Sequence, residues 1–310
     1  MRMKPVPKRV VVAGATGLIG RELVALLLQN DYSVTILSRS RQKVRALFGD
    51  KVDYQGWDGV TIAGLVHTVE GCYAVINLSG ANISEGLWTK SRKERILQSR
   101  ISSTQALVKA VHHAKVKPSV FIQGSAIGYY PYQAGTPLTE QSPMGKGFLA
   151  DVVDSWERAA KPVESYGIRL VFLRTGAVLA SNGGMLKALA NPVKFFAGAW
   201  FGNGNQQVSW IHIADHVRAV LFLLENGAAS GPFNLVAEKS VAQKALVKSI
   251  AQSLKRPAFM GIPVSLTTLI LGDMGRELLL SNQNVKPEKL LQQGFRFLFP
   301  QHQDAISNLI

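Results

Sequence analysis

Residues 9–20 read Arg-Val-Val-Val-Ala-Gly-Ala-Thr-Gly-Leu-Ile-Gly, a β-branched run that breaks at a glycine-rich turn and passes straight into an amphipathic segment. A strand at 9–13 and a helix at 18–29 follow from the two periodicities. Joining them so abruptly calls on Gly14 for the tight turn, Gly17 where backbone must approach a ligand, and Gly20 where the helix packs close to the strand. The unpaired N–H groups at the helix start then face negative charge. In that strand–turn–helix setting the pattern predicts a cradle for the pyrophosphate of a dinucleotide. Its candidate contacts are Gly14, Thr16, Gly17, Leu18, Ile19 and Gly20.

The second strand chooses between cofactors. An NAD site ordinarily holds Asp or Glu at its end, about 20 residues past the glycines, for the ribose 2′-hydroxyl. Here the strand at 33–37 runs into Ser38-Arg39-Ser40-Arg41 with no acid beside it. A guanidinium suits a 2′-phosphate through paired charge-assisted hydrogen bonds, and the hydroxyls of Ser38 or Ser40 can add to them. Ser38 and Arg39 therefore predict NADP(H), with ordinary surface arginines as the plainer alternative. Past the fourth strand, Asn77-Leu78-Ser79-Gly80 is expected to line the same crevice, because ligands of doubly wound sheets sit outside the carboxyl ends of the strands. A simple strand-end turn would read the same way.

The remainder alternates in the manner of a parallel sheet with crossover helices. Helices are expected at 41–48, 90–114 and 148–166, and strands at 52–54, 73–78, 119–123 and 168–173. Glycine and asparagine crowd 181–184 and 201–207, which predicts long functional loops across 177–207. A strand at 208–213 follows, then a helix to Leu224 with Asp215 as its N-cap. A strand at 233–236 and helices at 241–254, 264–280 and 287–292 complete the reading. The fold class is thus α/β: a doubly wound parallel sheet of Rossmann type over 1–230, with a smaller mixed α/β lobe over 231–310.

Apolar residues make up 47% of the 310-residue chain and charged residues 18%, which supports a sizeable core rather than disorder. No apolar run approaches the ~18 residues of a membrane span, and the basic opening segment leads into glycines too soon to be a secretory leader. One cysteine, Cys72, cannot form an internal disulfide, and no ligand cluster suggests a metal; a reducing, cytoplasmic setting fits. Lys and Arg outnumber Asp and Glu by 35 to 20, a net +15. Such a balance invites nucleic acid or an acidic surface, yet no nucleic-acid-binding motif accompanies it, and solvated helix faces are the bland alternative. No membrane partner is expected.

From these motifs the chain resembles the extended short-chain dehydrogenase/reductase superfamily, and more closely its atypical branch of epimerase-family proteins with a C-terminal domain of their own. The residues that carry the resemblance are the glycine loop with Ser38-Arg39, Asn77 to Gly80, Trp88-Thr89 through Arg92-Lys93, and Ser99-Arg100. They continue with Ser125 to Tyr130, Trp156-Glu157, Leu173-Arg174-Thr175-Gly176, Ser209 to His212 with Asp215, and Gly294 to Phe297. The resemblance adds Thr175 to the cofactor contacts. It departs in two stretches: 237–243 lacks expected prolines, and Gly272-Asp273 stands where the branch has Gly-Glu.

The superfamily transfers hydride with a Tyr whose pKa is lowered by a Lys four residues on, beside a Ser that hydrogen-bonds the substrate oxygen. A phenol near pKa 10 needs such a cation before it exchanges protons readily. Ser125 stands where the serine belongs. However, Tyr129, Tyr130, Tyr132 and Tyr166 are followed at the fourth position by Gln133, Ala134, Thr136 and Leu170, and alignment on Glu157 puts Ala150 and Asp154 at the dyad positions. Ser125 and Tyr129 are the candidate catalytic groups, with core packing an equal reading for Tyr129. His212 reads as a strand residue whose ring satisfies a loop carbonyl, and Trp156, Trp200 and Trp210 as core or pocket wall. Three functions stay open: an NADP-dependent oxidoreductase or epimerase of a small carbonyl or sugar-type substrate, a non-catalytic NADP(H)-binding redox regulator, and a nucleic-acid-associated protein. The chain reads equally as a monomer or a homodimer.

Overall fold

In the computed structural model, which describes residues 8–133 and 135–310, a seven-stranded parallel sheet organises the first three quarters of the chain. The basic start at 1–7 and Ala134 lie outside the described residues. The elements run β1 (Arg9–Ala13), α1 (Leu18–Gln29), β2 (Ser33–Ser38), α2 (Arg41–Phe48), β3 (Asp53–Gly56), α3 (Leu65–Val69), β4 (Ala74–Asn77), α4 (Lys90–His113), β5 (Val120–Ala126), α5 (Phe148–Ala160) and β6 (Arg169–Thr175). After them come β7 (Ala177–Ala180), α6 (Gly184–Lys194), β8 (Gly198–Phe201), β9 (Gln207–Val208), β10 (Trp210–His212), α7 (Ile213–Glu225) and β11 (Gly231–Leu235). Last are β12 (Val241–Ala242), α8 (Gln243–Ser253), β13 (Ala258–Ile262), α9 (Val264–Met274), α10 (Glu288–Gln292) and α11 (His302–Leu309).

The order across the sheet is β11-β6-β5-β4-β1-β2-β3, with the chain reversing direction of travel between β1 and β4. Doubly wound sheets open a ligand crevice at such a switch point. Side-chain alternation sends Val10 and Val12 of β1 to one face, against Leu23 and Leu27 of α1 and Val220 of α7. Val11 and Ala13 go to the other, against Leu107 and Val111 of α4. Both faces are covered, so β1 and β4 are apolar without alternation.

Several expectations are corrected. Residues 177–207 are not mainly loop: the stretch holds β7, α6 and β8, and buries Leu186, Val193 and Trp200. The strand expected at 208–213 divides at Ser209, whose hydroxyl donates to the Gln283 carbonyl and accepts from the Val285 N–H. Asp215 is not the N-cap of α7; the ring of His212 is, its Nδ1 accepting from the Ala214 N–H at 3.0 Å. The helix from Phe148 stops at Ala160, where Pro162 turns the chain into a 3-10 segment. The helix from Val264 kinks at Gly272 (φ 53°) and ends in a wide π-type turn, Gly275–Leu279. Strand β11 extends the sheet beyond residue 230 by pairing with β6. A smaller lobe of α6, β8, α8, β13 and α11 gathers around Trp210, Leu246, Ile250 and Ile306. It is tied back across the crevice by Lys93 of α4, whose Nζ lies 2.6 Å from Asp273.

Candidate functional site

Gly14 leaves β1 in the left-handed region (φ 83°), and a Cβ there would stand 2.6 Å from the Leu78 carbonyl carbon. At Gly20, a Cβ would come within 2.3 Å of the Gly14 carbonyl oxygen. The turn closes only because both positions lack side chains. Gly17 is the N-cap of α1 and brings no side chain to it, so the amides of Leu18, Ile19 and Gly20 begin the helix without intrahelical partners. Gly17 is exposed, Thr16, Leu18 and Ile19 are half-buried, and the Leu18 side chain lies where a Cβ at Gly183 or Gly184 would crowd it at 3.1 Å.

At the end of β2, Ser40 is spent on capping α2, its hydroxyl accepting from the Lys43 N–H at 3.2 Å. Ser38 accepts from the Ser40 N–H at 3.3 Å. Arg39 is exposed, and among the described residues it has no ion-pair partner. Asn77, by contrast, lies wholly beneath the surface. Its amide donates to Thr104 at 3.0 Å and Gln123 at 3.1 Å, while its carbonyl oxygen accepts from the Ser79 N–H at 3.1 Å and from the Ser79 hydroxyl. Asn77 thus shapes the Leu78–Ser79–Gly80 turn from below. Ser99 and Arg100 of α4 hold its far side, accepting from the Ala81 N–H and donating to the Ala81 carbonyl.

Strand β5 runs to Ala126, longer than its sequence suggests, so Ser125 sits inside the sheet opposite Arg174 of β6. The Ser125 hydroxyl donates to Glu157 Oε1 at 2.6 Å. Arg174 grips both oxygens of that carboxylate, at 2.8 and 2.9 Å, and extends a third N–H to the Tyr130 hydroxyl at 3.0 Å. Tyr130 in turn donates to Asn234 at 2.7 Å, and the Asn234 N–H donates to Glu140. All six side chains are buried. Against burial, which alone would lower it, the hydrogen bonds and charge of Glu157 hold the Arg174 pKa above its ordinary value. Burial pushes the Tyr130 phenol up to about 12 and raises the Glu140 carboxyl. Tyr130 therefore keeps its proton at neutral pH, and the proton of Ser125 is committed to Glu157. Tyr129 is half-buried, with the Arg174 guanidinium 3.6 Å from its ring centroid.

Glu157, Arg174, Tyr130 and Asn234 were not singled out from sequence as a working group. The signal was there: Arg174 interrupts the apolar run of β6, and Glu157 follows Trp156 on the buried face of α5. Thr175 faces His216, whose Nε2 lies 3.0 Å from the threonine oxygen. The three tryptophans are buried: Trp156 donates to Thr104, and Trp210 to the Lys239 carbonyl. His212 lies in β10 as expected, but its ring accepts a helix N–H rather than satisfying a carbonyl, and burial lowers its pKa. Asp215 receives the N–H groups of Leu298 and Phe299 and the guanidinium of Arg218, so the Gly294–Phe297 motif is the approach to a clamp on the C-terminal tail.

A cavity of about 760 Å³ opens between the 132–133 segment, the turn at 202–206 and the helical stretch from Pro263 to Asn282. Its walls combine Asn203, Asn205, Gln206 and Asn282 with Val264 and Leu280, and Arg276 is the cation among its described lining residues. A smaller hollow of about 370 Å³ lies between Trp88, Lys93 and Phe148.

Known proteins resemble this chain in sequence and fold. A family model described as the NAD dependent epimerase/dehydratase family matches residues 10–235, and a second, described as a domain of unknown function (DUF1731), matches residues 262–309. An epimerase family protein of Staphylococcus haemolyticus is 38% identical over 306 residues, covering 98% of this chain and 99% of that one. One from Staphylococcus aureus strain MRSA252 is 35% identical over 305 residues with the same coverage. The crystal structure of human epimerase family protein SDR39U1 with NADPH superposes with a TM-score of 0.86 at 29% identity, over 97% of this chain and 98% of that chain. The UDP-N-acetylglucosamine 4-epimerase of Bacillus cereus, at a TM-score of 0.76 and 15% identity, shares the fold. With the match spanning the whole sheet from Val10 to Leu235, the chain belongs to the NAD dependent epimerase/dehydratase family.

Proposed function

We propose that this chain binds NADP(H) in the crevice between the glycine turn, Arg39 and the Leu78–Gly80 turn, and uses it to reduce, oxidise or epimerise a small carbonyl or sugar-type substrate. The observation that carries the reading is the uncapped start of α1, behind two glycines that admit no Cβ, with the exposed Arg39 at the end of β2 having no acidic partner among the described residues. The open amides of Leu18, Ile19 and Gly20 suit a diphosphate, and Arg39 with Ser38 suits a ribose 2′-phosphate. That the human relative was crystallised with NADPH supports the same choice. Bound nicotinamide would supply or receive the hydride. The amide-lined cavity beside Tyr132 offers hydrogen bonds to a polar substrate, and Ser125, its proton given to Glu157, offers other groups an acceptor.

A second reading, a non-catalytic NADP(H)-binding redox regulator, is favoured by one specific feature. Ser125, which stands where the superfamily has its serine, is engaged with Glu157, and the neighbouring Tyr130 is engaged with Arg174 and Asn234.

Titration calorimetry with NADPH and NADH tests the cofactor. Tighter binding of NADPH is expected, and Arg39→Glu should weaken it roughly tenfold to a hundredfold, the value of a charge-assisted contact, while sparing NADH. Equal affinities for the two, unmoved by Arg39→Glu, would remove the assignment. NADPH oxidation over a carbonyl panel, lost in Ser125→Ala, supports the enzyme; tight binding with no turnover across that panel supports the regulator.

A further inference from the structure

The smaller lobe exposes large apolar side chains where a lobe of this size has a core to hide them in. Phe195 and Phe196, at the end of α6, are 82% and 59% exposed, and Phe259 on β13 is 70% exposed. On α9, Leu266, Leu269 and Ile270 follow at helical spacing and are 45%, 83% and 59% exposed, a continuous outward stripe. Strand β13 pairs with β8, which follows Phe196 directly, and leads into α9 through Pro263. Phe196 takes a left-handed backbone (φ 62°) that few side chains of its kind adopt. Exposed apolar groups scattered singly need no explanation, but six large ones on elements joined in succession, β13 beside β8 and leading into α9, mark a contact surface.

What covers it is indicated by charge. Residues 176–214 and 239–272, which supply α6, β8, α8, β13 and most of α9, contain seven Lys and Arg and not one Asp or Glu. These two stretches therefore carry +7, nearly half of the chain's net +15, and the acids of the lobe lie outside them, among them Asp273 near the end of α9 and Asp304 on α11. Three of those cations border the exposed rings: Lys194 precedes Phe195, Lys255 is exposed, and the Arg256 guanidinium lies 4.7 Å from the centre of the Phe196 ring. A second copy of this chain would bring the same positive field against it. Nucleic acid would satisfy the cations and stack on the phenylalanines, but would leave Leu266, Leu269 and Ile270 without a partner. An anionic lipid surface answers both halves, with acyl chains for the aliphatic and aromatic groups and headgroups for the cations.

We propose that this lobe docks peripherally on an anionic membrane surface, inserting Phe195, Phe196, Phe259 and the Leu266–Leu269–Ile270 stripe between headgroups held by Lys194, Lys255 and Arg256. No helix among the described residues is long and apolar enough to cross a membrane, so the contact lies on the surface and does not span it. The sequence expectation of no membrane partner rests on the lack of a spanning run and does not bear on such a contact. The docking is independent of the cofactor assignment.

The test is flotation of the full chain with phosphatidylcholine vesicles, with and without phosphatidylglycerol. Binding is expected only with phosphatidylglycerol, weakening as salt rises. Lys194→Glu/Lys255→Glu/Arg256→Glu should lower partitioning by roughly two orders of magnitude or more, at about fivefold per cation. Phe195→Ser/Phe259→Ser/Leu269→Ser should lower it at least about tenfold, and because these side chains face outward the thermal transition should stay in place. No flotation with phosphatidylglycerol at low salt overturns the proposal. So does flotation indifferent to the apolar substitutions, which would be charge attraction alone. Self-association abolished by the apolar triple variant, or single-stranded oligonucleotide binding that depends on the same phenylalanines and outcompetes vesicles, overturns it in favour of those partners.

Discussion

Glu277 caps α5 from outside the helix: its two carboxylate oxygens accept the N–H groups of Phe148 at 3.0 Å and Leu149 at 2.8 Å. The helix cannot do this for itself, because its N-cap is Gly147, and the carboxylate also sits favourably against the positive end of the helix. Glu277 belongs to the turn after α9, whereas α5 packs on the sheet and carries Trp156 and Glu157. The cap is thus a joint between the C-terminal lobe and the layer that holds the buried network.

Glu277→Ala is therefore expected to destabilise the chain by about 1–2 kcal/mol, the usual worth of an N-cap with a favourable charge. Amide exchange at the start of α5 should accelerate more than exchange in α1 or α7. Urea unfolding and residue-resolved hydrogen exchange would measure both. Unchanged protection at 148–151 would show that the joint carries no load.

The pair Glu157–Arg174 permits a sharper expectation. Both side chains are buried, at 6% and 4% exposure, so Glu157→Ala abandons a guanidinium in the interior and strips the Ser125 hydroxyl of its acceptor. A loss of about 3–5 kcal/mol is expected. Glu157→Met/Arg174→Met removes both charges together and should be considerably milder, since a buried ion pair adds little over a packed apolar one. Chemical denaturation of the two variants gives the comparison, and a double variant as unstable as the single one would contradict it.

The sheet was legible in sequence because its strands carry their own signal. Val10, Val11 and Val12 are apolar on both faces, and the turn that follows admits only glycine at positions 14 and 20. The bounds of α1 and α2 coincide with their expected ranges for the same reason, a local pattern answered locally. What stayed hidden was decided by distant partners. His212 and Asp215 are three residues apart and only Asp is a favoured N-cap residue, yet Asp215 is drawn off by backbone amides more than 80 residues away, leaving the cap to the histidine. Glu157 and Arg174 looked like motif residues without a role, because their bond becomes visible only when β6 lies beside β5. In 184–201, glycine at both ends suggested loop, and the burial of Leu186 and Val193 against α8 made helix α6 instead.

Asp215 also yields a prediction about the tail. Its carboxylate is fully buried and receives two backbone N–H groups and a guanidinium, so Asp215→Ala leaves the amides of Leu298 and Phe299 without acceptors. Each unsatisfied amide costs about 1–3 kcal/mol unless it escapes to water, and escape means release of the segment from Gly294 onward. Limited proteolysis should then cut near Arg296 in the variant while sparing the sheet domain. A tail as resistant as that of the parent chain would show that Phe295, packed against Phe222 at 5.6 Å, suffices to hold it.

His216 sets a pH dependence whose sign follows from its surroundings. The Thr175 hydroxyl lies 3.2 Å from the Leu173 carbonyl and 3.0 Å from Nε2 of His216, so one ring nitrogen has a hydrogen-bond partner. Nδ1 is buried without a partner, and burial lowers the His216 pKa to about 3. In the unfolded chain the same ring titrates near 6.5. Between those values the unfolded state binds a proton that the folded state refuses, so stability falls as pH drops below about 6.5 and levels off only near 3. The slope attributable to this one group approaches about 1.4 kcal/mol per pH unit, and His212 and His302, whose pKa values burial also lowers, act in the same direction. Urea unfolding at a series of pH values from neutral down to about 4.5 should show a steady loss, one in which the ordinary carboxylates, titrating near 4, have little part. His216→Gln retains a hydrogen-bond partner for Thr175 but cannot be protonated, so its stability curve should be flatter by roughly one proton's worth of slope. Parallel curves for the variant and the parent chain would mean that His216 accepts a proton in the folded state, and that the site beside Thr175 is open to water.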